Sequence, residues 1–441
     1  MENGTTALLG LAGVAVAGVE HDVADERARV VHVVTDDPGA ARCPDCGTLS
    51  NSGKAWVTTR PKDLPYGPDR VELVWRKRRW RCRNPVCERQ TFTEAIEAVP
   101  PRMRTTTRLR EAIGQGVEAG RAVDEVAAAH GVSWPTAQRA VDAYAARELG
   151  DPEPTPLLGI DETRFGRPRW IRTSDGADHD GRWVRLEPWE TGFVDLRCPA
   201  TGGQGLLGQV DGRSSAAVLH WLAQRDQAFR DAVEIVALDP SAPYAAAVRD
   251  TLPQARVAVD HFHLVALANA AVTAVRQRVT REQLGRRGRR RDPVWAHRRL
   301  LLRGRERLSS RAMARMWNGA IDHEPTGQLL AAWIAKEELR ALLGLAARGG
   351  HRDAIGRRLW AFYTWCADTD VPELHTLAQT IQAWWPAVEV FLTTGITNAR
   401  TEGTNRLVKQ VKRAACGFRN RRNYRTRVRL LCTRSTRRIT A

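Results

Sequence analysis

The chain has 441 residues, 43% of them hydrophobic and 27% charged, which excludes a disordered tail or a membrane bundle and leaves room for roughly two to four domains. Its 68 Lys and Arg against 50 Asp and Glu give a formal charge of +18, a field that gathers polyanions and makes nucleic acid the first expected partner. Only six of the basic residues are lysines, so the charge sits on guanidinium groups suited to phosphates and guanine edges.

The apolar stretch from Leu8 to Val19 has no basic segment before it and is followed by Glu20 and Asp22. With no long apolar run elsewhere, neither a signal peptide nor a membrane span is expected. Of the eight cysteines, Cys198, Cys366, Cys416 and Cys432 are scattered, which fits a reducing cytoplasm better than a disulfide framework.

In chain order, the Val-rich runs of residues 7–35 predict strands. Cys43 and Cys46 follow, then a strand-like run from Val71 to Arg81, then Cys82 and Cys87. Two thiolate pairs on tight turns supply a tetrahedral four-sulfur site, so a structural zinc is expected in a β module too small to build a core alone; the rival is four unrelated buried cysteines. The basic run Arg76 to Arg81 reads either as a DNA contact or as a solvated edge strand.

From Thr105 the pattern turns helical, with segments at Thr107 to Ala119, Val123 to His130 and Trp134 to Arg147. Small residues, the Gly131 turn and Ser133 as helix cap are the proportions of a helix-turn-helix, with a plain helical hairpin as the alternative. Trp134, Thr136, Gln138 and Arg139 are the expected DNA-facing residues. The proline-rich stretch from Asp151 to Pro156 reads as a stiff linker.

Beyond it, strands are expected at Leu157 to Glu162, Thr191 to Leu196 and Gly205 to Val210, a helix at Ser214 to Arg225, a strand at Val233 to Leu238, a helix at Tyr244 to Thr251 and a strand at Ala255 to Asp260. That order is the order of a ribonuclease-H-like core. From there the pattern is helical to the C-terminus. The tryptophans read mostly as helix-packing anchors, with Trp295, Trp317 and Trp333 as the base-stacking alternatives.

Asp161 and Asp239 are expected at the ends of buried strands. Two desolvated like charges are costly unless a cation lies between them, so they point to Mg²⁺, two ions per active site, with a third carboxylate still needed. Glu402 is the candidate. It shares a helix face with Asn405, Lys409 and Lys412, an amide and two ammonium groups expected to face the DNA backbone, with Leu407 and Val411 opposite for the core, and the basic run through Arg413 and Arg419 reads as phosphate-contacting. An ordinary surface helix is the plain alternative. Glu162, on the other side of its strand, is expected to be exposed or to act from an outer shell. Asp260 and His263 are expected as an outer-shell pair, with direct metal ligation as the lesser reading.

The cysteine pairs, Arg79-Trp80-Arg81-Cys82, Ile160-Asp161-Glu162, Asp239-Pro240-Ser241 with Tyr244, Asp260-His261-Phe262-His263, and Asn398, Glu402-Gly403 and Asn405 through Gly417-Phe418-Arg419-Asn420 together resemble the ISL-three family of bacterial insertion-sequence transposases. The resemblance implies a multidomain α+β DDE enzyme: a zinc-binding β module over residues 1–100, a helix-turn-helix over 101–150, and a ribonuclease-H-like α/β core over 151–265. It also implies an all-helical insertion over 266–390 and a last core part with the catalytic Glu helix and basic tail over 391–441. By matching position the triad is Asp161, Asp239 and Glu402, and Asp260 with His263 is similar to the Asp-x-x-His element of several DDE transposases. The stretch Gly166 to Trp189 is longer and more polar than such a core leads one to expect, with Asp178-His179-Asp180-Gly181 as a loop tip.

The function so implied is binding of terminal inverted repeats, cleavage of phosphodiester bonds and transfer of 3′-hydroxyl ends to target DNA. The partners are double-stranded DNA and further copies of the chain, away from membranes, on the nucleoid in the cytoplasm. A transposase-derived DNA-binding regulator without catalysis is the main rival, and a cellular nuclease or junction resolvase of the same core the lesser one.

Overall fold

The computed structural model describes residues 4–21, 28–65, 70–172, 182–349 and 351–440. The chain divides into two compact units, Met1–Gly150 with Gln410–Leu431, and Asp151–Lys409 with Cys432–Ala441. The stretch 391–441, expected to close the core as one piece, is thus divided between them.

In the first unit α1 (Gly4–Leu9) is a short helix where strands were expected from residue 7. β1 (Val14–His21), β2 (Ala28–Thr35), β3 (Gly53–Thr59), β4 (Arg70–Arg81) and β5 (Thr91–Thr93) form one sheet in the order β1-β2-β4-β3, with β5 also on β4. Alternation sends Val14, Val16, Val31, Val33, Leu73 and Trp75 to one buried face, where they meet Ile96 and Val99. Lys54, Trp56, Arg76 and Arg78 lie exposed.

Three helices follow, α2 (Thr107–Glu118), α3 (Val123–Ala129) and α4 (Trp134–Glu148). A Cβ on Gly114 would stand 2.3 Å from the Tyr144 ring, so a glycine is what lets α2 and α4 cross this closely. Leu109, Ile113, Val126, Ala137 and Val141 form their core, and Leu430 from the C-terminal segment joins it. Arg427 donates to the Gly120 and Arg121 carbonyls at 3.2 and 2.8 Å. Those contacts explain why residues 410–431 belong here.

The second unit opens with β6 (Leu157–Arg164), β7 (Arg169–Arg172), β8 (Trp183–Leu186), β9 (Trp189–Asp195) and β10 (Leu206–Asp211). After these come α5 (Ser215–Ala223), α6 (Gln227–Ala232), β11 (Ile235–Leu238), α7 (Ala242–Thr251) and β12 (Arg256–Val259). A five-stranded sheet runs in the order β10-β9-β6-β11-β12. β9 is antiparallel to both β6 and β10, whereas β6, β11 and β12 are parallel. One face buries Leu158, Ile160, Phe193, Val236 and Leu238 against Trp221, Phe229 and Tyr244, with Phe193 stacked on Trp221 at 4.0 Å.

The hairpin β7–β8 falls inside the polar stretch 166–189, while the expected loop tip Asp178 to Gly181 lies outside the described residues. From β12 to residue 394 every described element is helical. These are α8 (His261–Leu284), α9 (Pro293–Ala296), α10 (Arg298–Leu301), α11 (Ser310–His323), α12 (Gln328–Leu343), α13 (Arg352–Asp368), α14 (Pro372–Ala383) and α15 (Trp385–Thr394). Their common core holds Trp333, Leu339, Phe362 and Phe391. Trp333 is buried edge-on against Trp317, and Trp295 lies under the Arg298 guanidinium, so all three take part in packing. α16 (Ala399–Ala414) and α17 (Arg421–Thr440) complete the chain.

Candidate active site and zinc centre

The parallel ladder between β6 and β11 ends at Ile160 and Leu238, so the next residues, Asp161 and Asp239, come out side by side. Asp161 is not at the end of its strand, as expected from sequence, because β6 runs on to Arg164 against β9. Burial first, and the charge of Asp239 second, push the Asp161 carboxyl up to about 7.

The opening of α16 is seated on β6 by three contacts. Asn398, fully buried, donates to the Ile160 carbonyl at 3.1 Å. A Cβ on Gly159 would fall 2.2 Å from Thr401 Oγ1; the bare backbone there admits the helix. Asn405 donates to Asp161 Oδ2 at 2.6 Å. Glu402 lies four residues after Asn398 and three before Asn405, on the face those two define, and it is half-buried. Asp161, Asp239 and Glu402 do not all approach within 4.8 Å of one another among the described residues.

Asp239 instead forms a tight group with Asp260 and His263, their ligand atoms all within 4.8 Å. His263 Nδ1 lies 3.1 Å from Asp239 and 3.7 Å from Asp260. Asp239 first and Asp260 second push this imidazole up to about 10. Burial works against the Asp260 charge, but His263 and the Phe262 amide outweigh it and hold the carboxyl below its usual range.

Glu162 is half-buried rather than exposed. Burial, then the Asp239 charge, raise its carboxyl while Arg213 and Tyr244 oppose the shift. Tyr244, itself buried, exchanges a hydrogen bond with the Thr191 hydroxyl at 2.9 Å. Sequence reasoning gave no role to Asn398, Thr401, Thr191 or Tyr244. The offset of four between Asn398 and Glu402 was the readable signal for the first.

This donor set fits a hard divalent cation. The carboxylates are oxygen donors, and a carboxyl held near 7 by burial and then by its neighbour's charge is in the condition that a cation relieves.

In the first unit the four predicted cysteines meet. Cys43 and Cys87 sulfurs are 3.9 Å apart and Cys46 and Cys82 sulfurs 3.6 Å, and all four lie within 4.8 Å. A tetrahedral site with bonds of about 2.3 Å has sulfur edges of about 3.8 Å. These thiols therefore fit zinc and are far too separated for disulfides. Hydrogen bonding with the Thr48 hydroxyl and amide lowers Cys46 to about 6, while burial and the neighbouring sulfurs raise Cys82 and Cys87, the mutual repulsion of thiolates that a bound cation relieves.

On α4, Trp134 and Arg139 are exposed and Thr136 half-buried, but Gln138 is buried and donates to Asp142 at 2.8 Å, so it does not face outward as expected. Ser133 occupies the cap position without a cap bond. Pro135 has no amide to offer, and the Thr136 amide is taken by the Ser133 carbonyl at 2.9 Å. On α16, Lys409 and Arg413 are exposed and Lys412 half-buried, while Arg419 follows the helix exposed. The apolar positions are Val408 and Val411, whereas Leu407 is 38% exposed, one helical position away from the expectation.

Zinc-ribbon cysteines, a helix-turn-helix and two aspartates side by side on neighbouring parallel strands are the combination found in transposases of the DDE class. The family model of the ISL3 DDE transposases, described as "Transposase", matches residues 158–428. The zinc-finger of transposase IS204/IS1001/IS1096/IS1165 matches residues 39–87, and the helix-turn-helix domain of transposase family ISL3 matches 94–145. The chain belongs to the ISL3 family of insertion-sequence transposases. It is similar to the transposase for insertion sequence element IS1001 of Bordetella parapertussis, 24% identical over 392 residues that cover 88% of this chain and 87% of that relative.

Proposed function

We propose that the chain binds the terminal inverted repeats of its element, cuts the phosphodiester bonds there and joins the freed 3′-hydroxyls to target DNA, with Asp161, Asp239 and Glu402 as the ligands of two Mg²⁺. The observation that supports this reading is the seating of α16 on β6 through Asn398, Thr401 and Asn405, the residues on either side of Glu402 in the chain. The strand order β10-β9-β6-β11-β12, with three antiparallel and then parallel strands, supports a ribonuclease-H-like core. The run of helices between β12 and α16 supports an insertion before the last acid.

Magnesium held there would lower the pKa of the attacking water or 3′-hydroxyl and stabilise the leaving oxygen. The chain's own groups set that up. Asn405 fixes one Asp161 oxygen, the other accepts from the Glu162 amide at 2.7 Å and keeps a lone pair for a ligand role, and His263, 3.1 Å from Asp239 and 3.7 Å from Asp260, orients Asp239 from behind. Lys409 supplies a cation for the DNA backbone on the same helix as Glu402. In the first unit, zinc on Cys43, Cys46, Cys82 and Cys87 ties two loops together, and Trp134, Thr136 and Arg139 are the DNA-facing set. Two DNA ends must be held together, so an assembly of at least two copies is part of the proposal.

The test is Mg²⁺-dependent cleavage of a duplex carrying the element's end. Wild type cuts it and Asp239→Ala, still folded and still binding, does not; equal cutting by both would remove Asp239 from the active site.

A further inference from the structure

The strands β7 and β8 pair only with each other among the described residues, and every residue in them is exposed. Trp170 is 64% and Trp183 61% exposed. The register sorts the side chains: Trp170 opposes Arg185 and Arg172 opposes Trp183 on one face, while Arg169 opposes Leu186 and Ile171 opposes Val184 on the other. One face is therefore a checkerboard of two indoles and two guanidiniums, and the other is mostly aliphatic. From Arg164 to Leu186 the sequence holds six arginines against three aspartates, Asp175, Asp178 and Asp180, so the stretch is net positive.

The hairpin is anchored at its root. The Phe165 amide donates to the Pro188 carbonyl at 2.7 Å. Glu187 holds Arg185 at 3.0 Å and Arg213 at 3.5 Å and accepts from the Trp189 indole at 3.1 Å. Arg213 and Arg164 lie over the Trp189 ring at 4.7 and 4.9 Å. The root pair, Arg164 and Trp189, stands three residues beyond Asp161 on β6, about 10 Å along the strand.

We propose that the Trp/Arg face of this hairpin is a DNA-contact surface that grips the strand beside the phosphate being cut, a location that rests on the active-site reading above. Guanidiniums meet the backbone, and indoles stack on bases left unpaired next to the cut. Charge selects DNA over a second copy of the chain as occupant, because another copy brings its own excess of +18 toward an arginine-rich arm.

The experiment is binding of the full chain to a fluorescently labelled duplex with a single-stranded flank, over a salt series and without divalent metal. Arg172→Ala with Arg185→Ala is expected to reduce the slope of log affinity against log salt by about 1–2, the share of Arg185 being lowered by its ion pair with Glu187. Trp170→Ala with Trp183→Ala is expected to weaken binding about tenfold or more. Ile171→Ser with Val184→Ser, on the opposite face, leaves binding unchanged. These side chains are outside every core, so folding is preserved, which circular dichroism verifies.

Unchanged slope and affinity in both Trp/Arg-face variants overturns the proposal. So does loss confined to the aliphatic-face variant with a lower sedimenting mass, which would assign the hairpin to contacts between copies. Since no metal is present, failure here leaves the cleavage reading standing, and a wild type that fails to cut leaves this result readable.

Discussion

Asn405 donates to Asp161 Oδ2 at 2.6 Å across a sequence separation of 244 residues, and this one bond ties the helix of Glu402 to the strand of Asp161. A residue that orients a ligand from outside the coordination shell is worth about 10- to 100-fold in activity or metal affinity. Asn405→Ala is expected to lower Mg²⁺-dependent cleavage by about that factor and to raise the Mg²⁺ concentration at half-maximal rate, with DNA binding unchanged. Cleavage kinetics across a magnesium titration checks it.

Gly159 is the second point at which α16 depends on β6. A methyl group there would meet Thr401 Oγ1 at 2.2 Å and the Leu196 side chain at 2.7 Å, so the helix must back away. Gly159→Ala is expected to destabilise the second unit by about 1–3 kcal/mol and to reduce cleavage about 100-fold or more in protein that still folds. Denaturant unfolding and a cleavage assay on the same preparation separate the two effects.

The Asp161 carboxyl sits at about 7 in the folded chain against an ordinary value of 3.8. Between those values the folded state binds more protons than the unfolded state, so stability falls as pH rises from about 4 through about 7. Metal-free Asp161→Asn is expected to lose this slope and to exceed wild type at pH 8 by about 1–3 kcal/mol, the size being reduced by solvent screening. Denaturant midpoints at pH 5 and pH 8 measure it. By the same proton competition, wild-type affinity for Mg²⁺ tightens over that range.

The four cysteines make a stoichiometric prediction. Purified protein is expected to carry one zinc per chain, and Cys43→Ser to lose it. With the tie between two loops gone, the β module opens to protease while α2, α3 and α4 stay protected. Elemental analysis and limited proteolysis report the two parts independently.

The features legible in the sequence are those with a local cause. Cysteine pairs on tight turns announce themselves by spacing, and the buried strands β6, β9, β10 and β11 by their apolar runs. What failed was set by tertiary context. The strand of Asp161 continues because β9 pairs beyond the edge of β11, which no local pattern encodes. Gln138 is buried by the neighbouring helices, and Leu407 and Val408 exchanged roles because α16 meets different neighbours from those a single helical wheel implies. Glu162 is half-buried toward Tyr244, which sets aside the first of its two expected readings, exposure, and keeps the outer-shell one. The hairpin β7–β8 was missed because neither of its faces is buried, so it lacks the in-and-out alternation by which strands are recognised.

The proposed convergence of three carboxylates is tested most directly at Glu402, the last of them in the chain. Manganese binding to wild type and Glu402→Gln, both on end-bearing DNA, can be counted by electron paramagnetic resonance alongside cleavage. The account predicts two ions and cutting for wild type, and fewer ions, no cutting and undiminished DNA binding for the variant. Two ions and wild-type cutting by Glu402→Gln would contradict it.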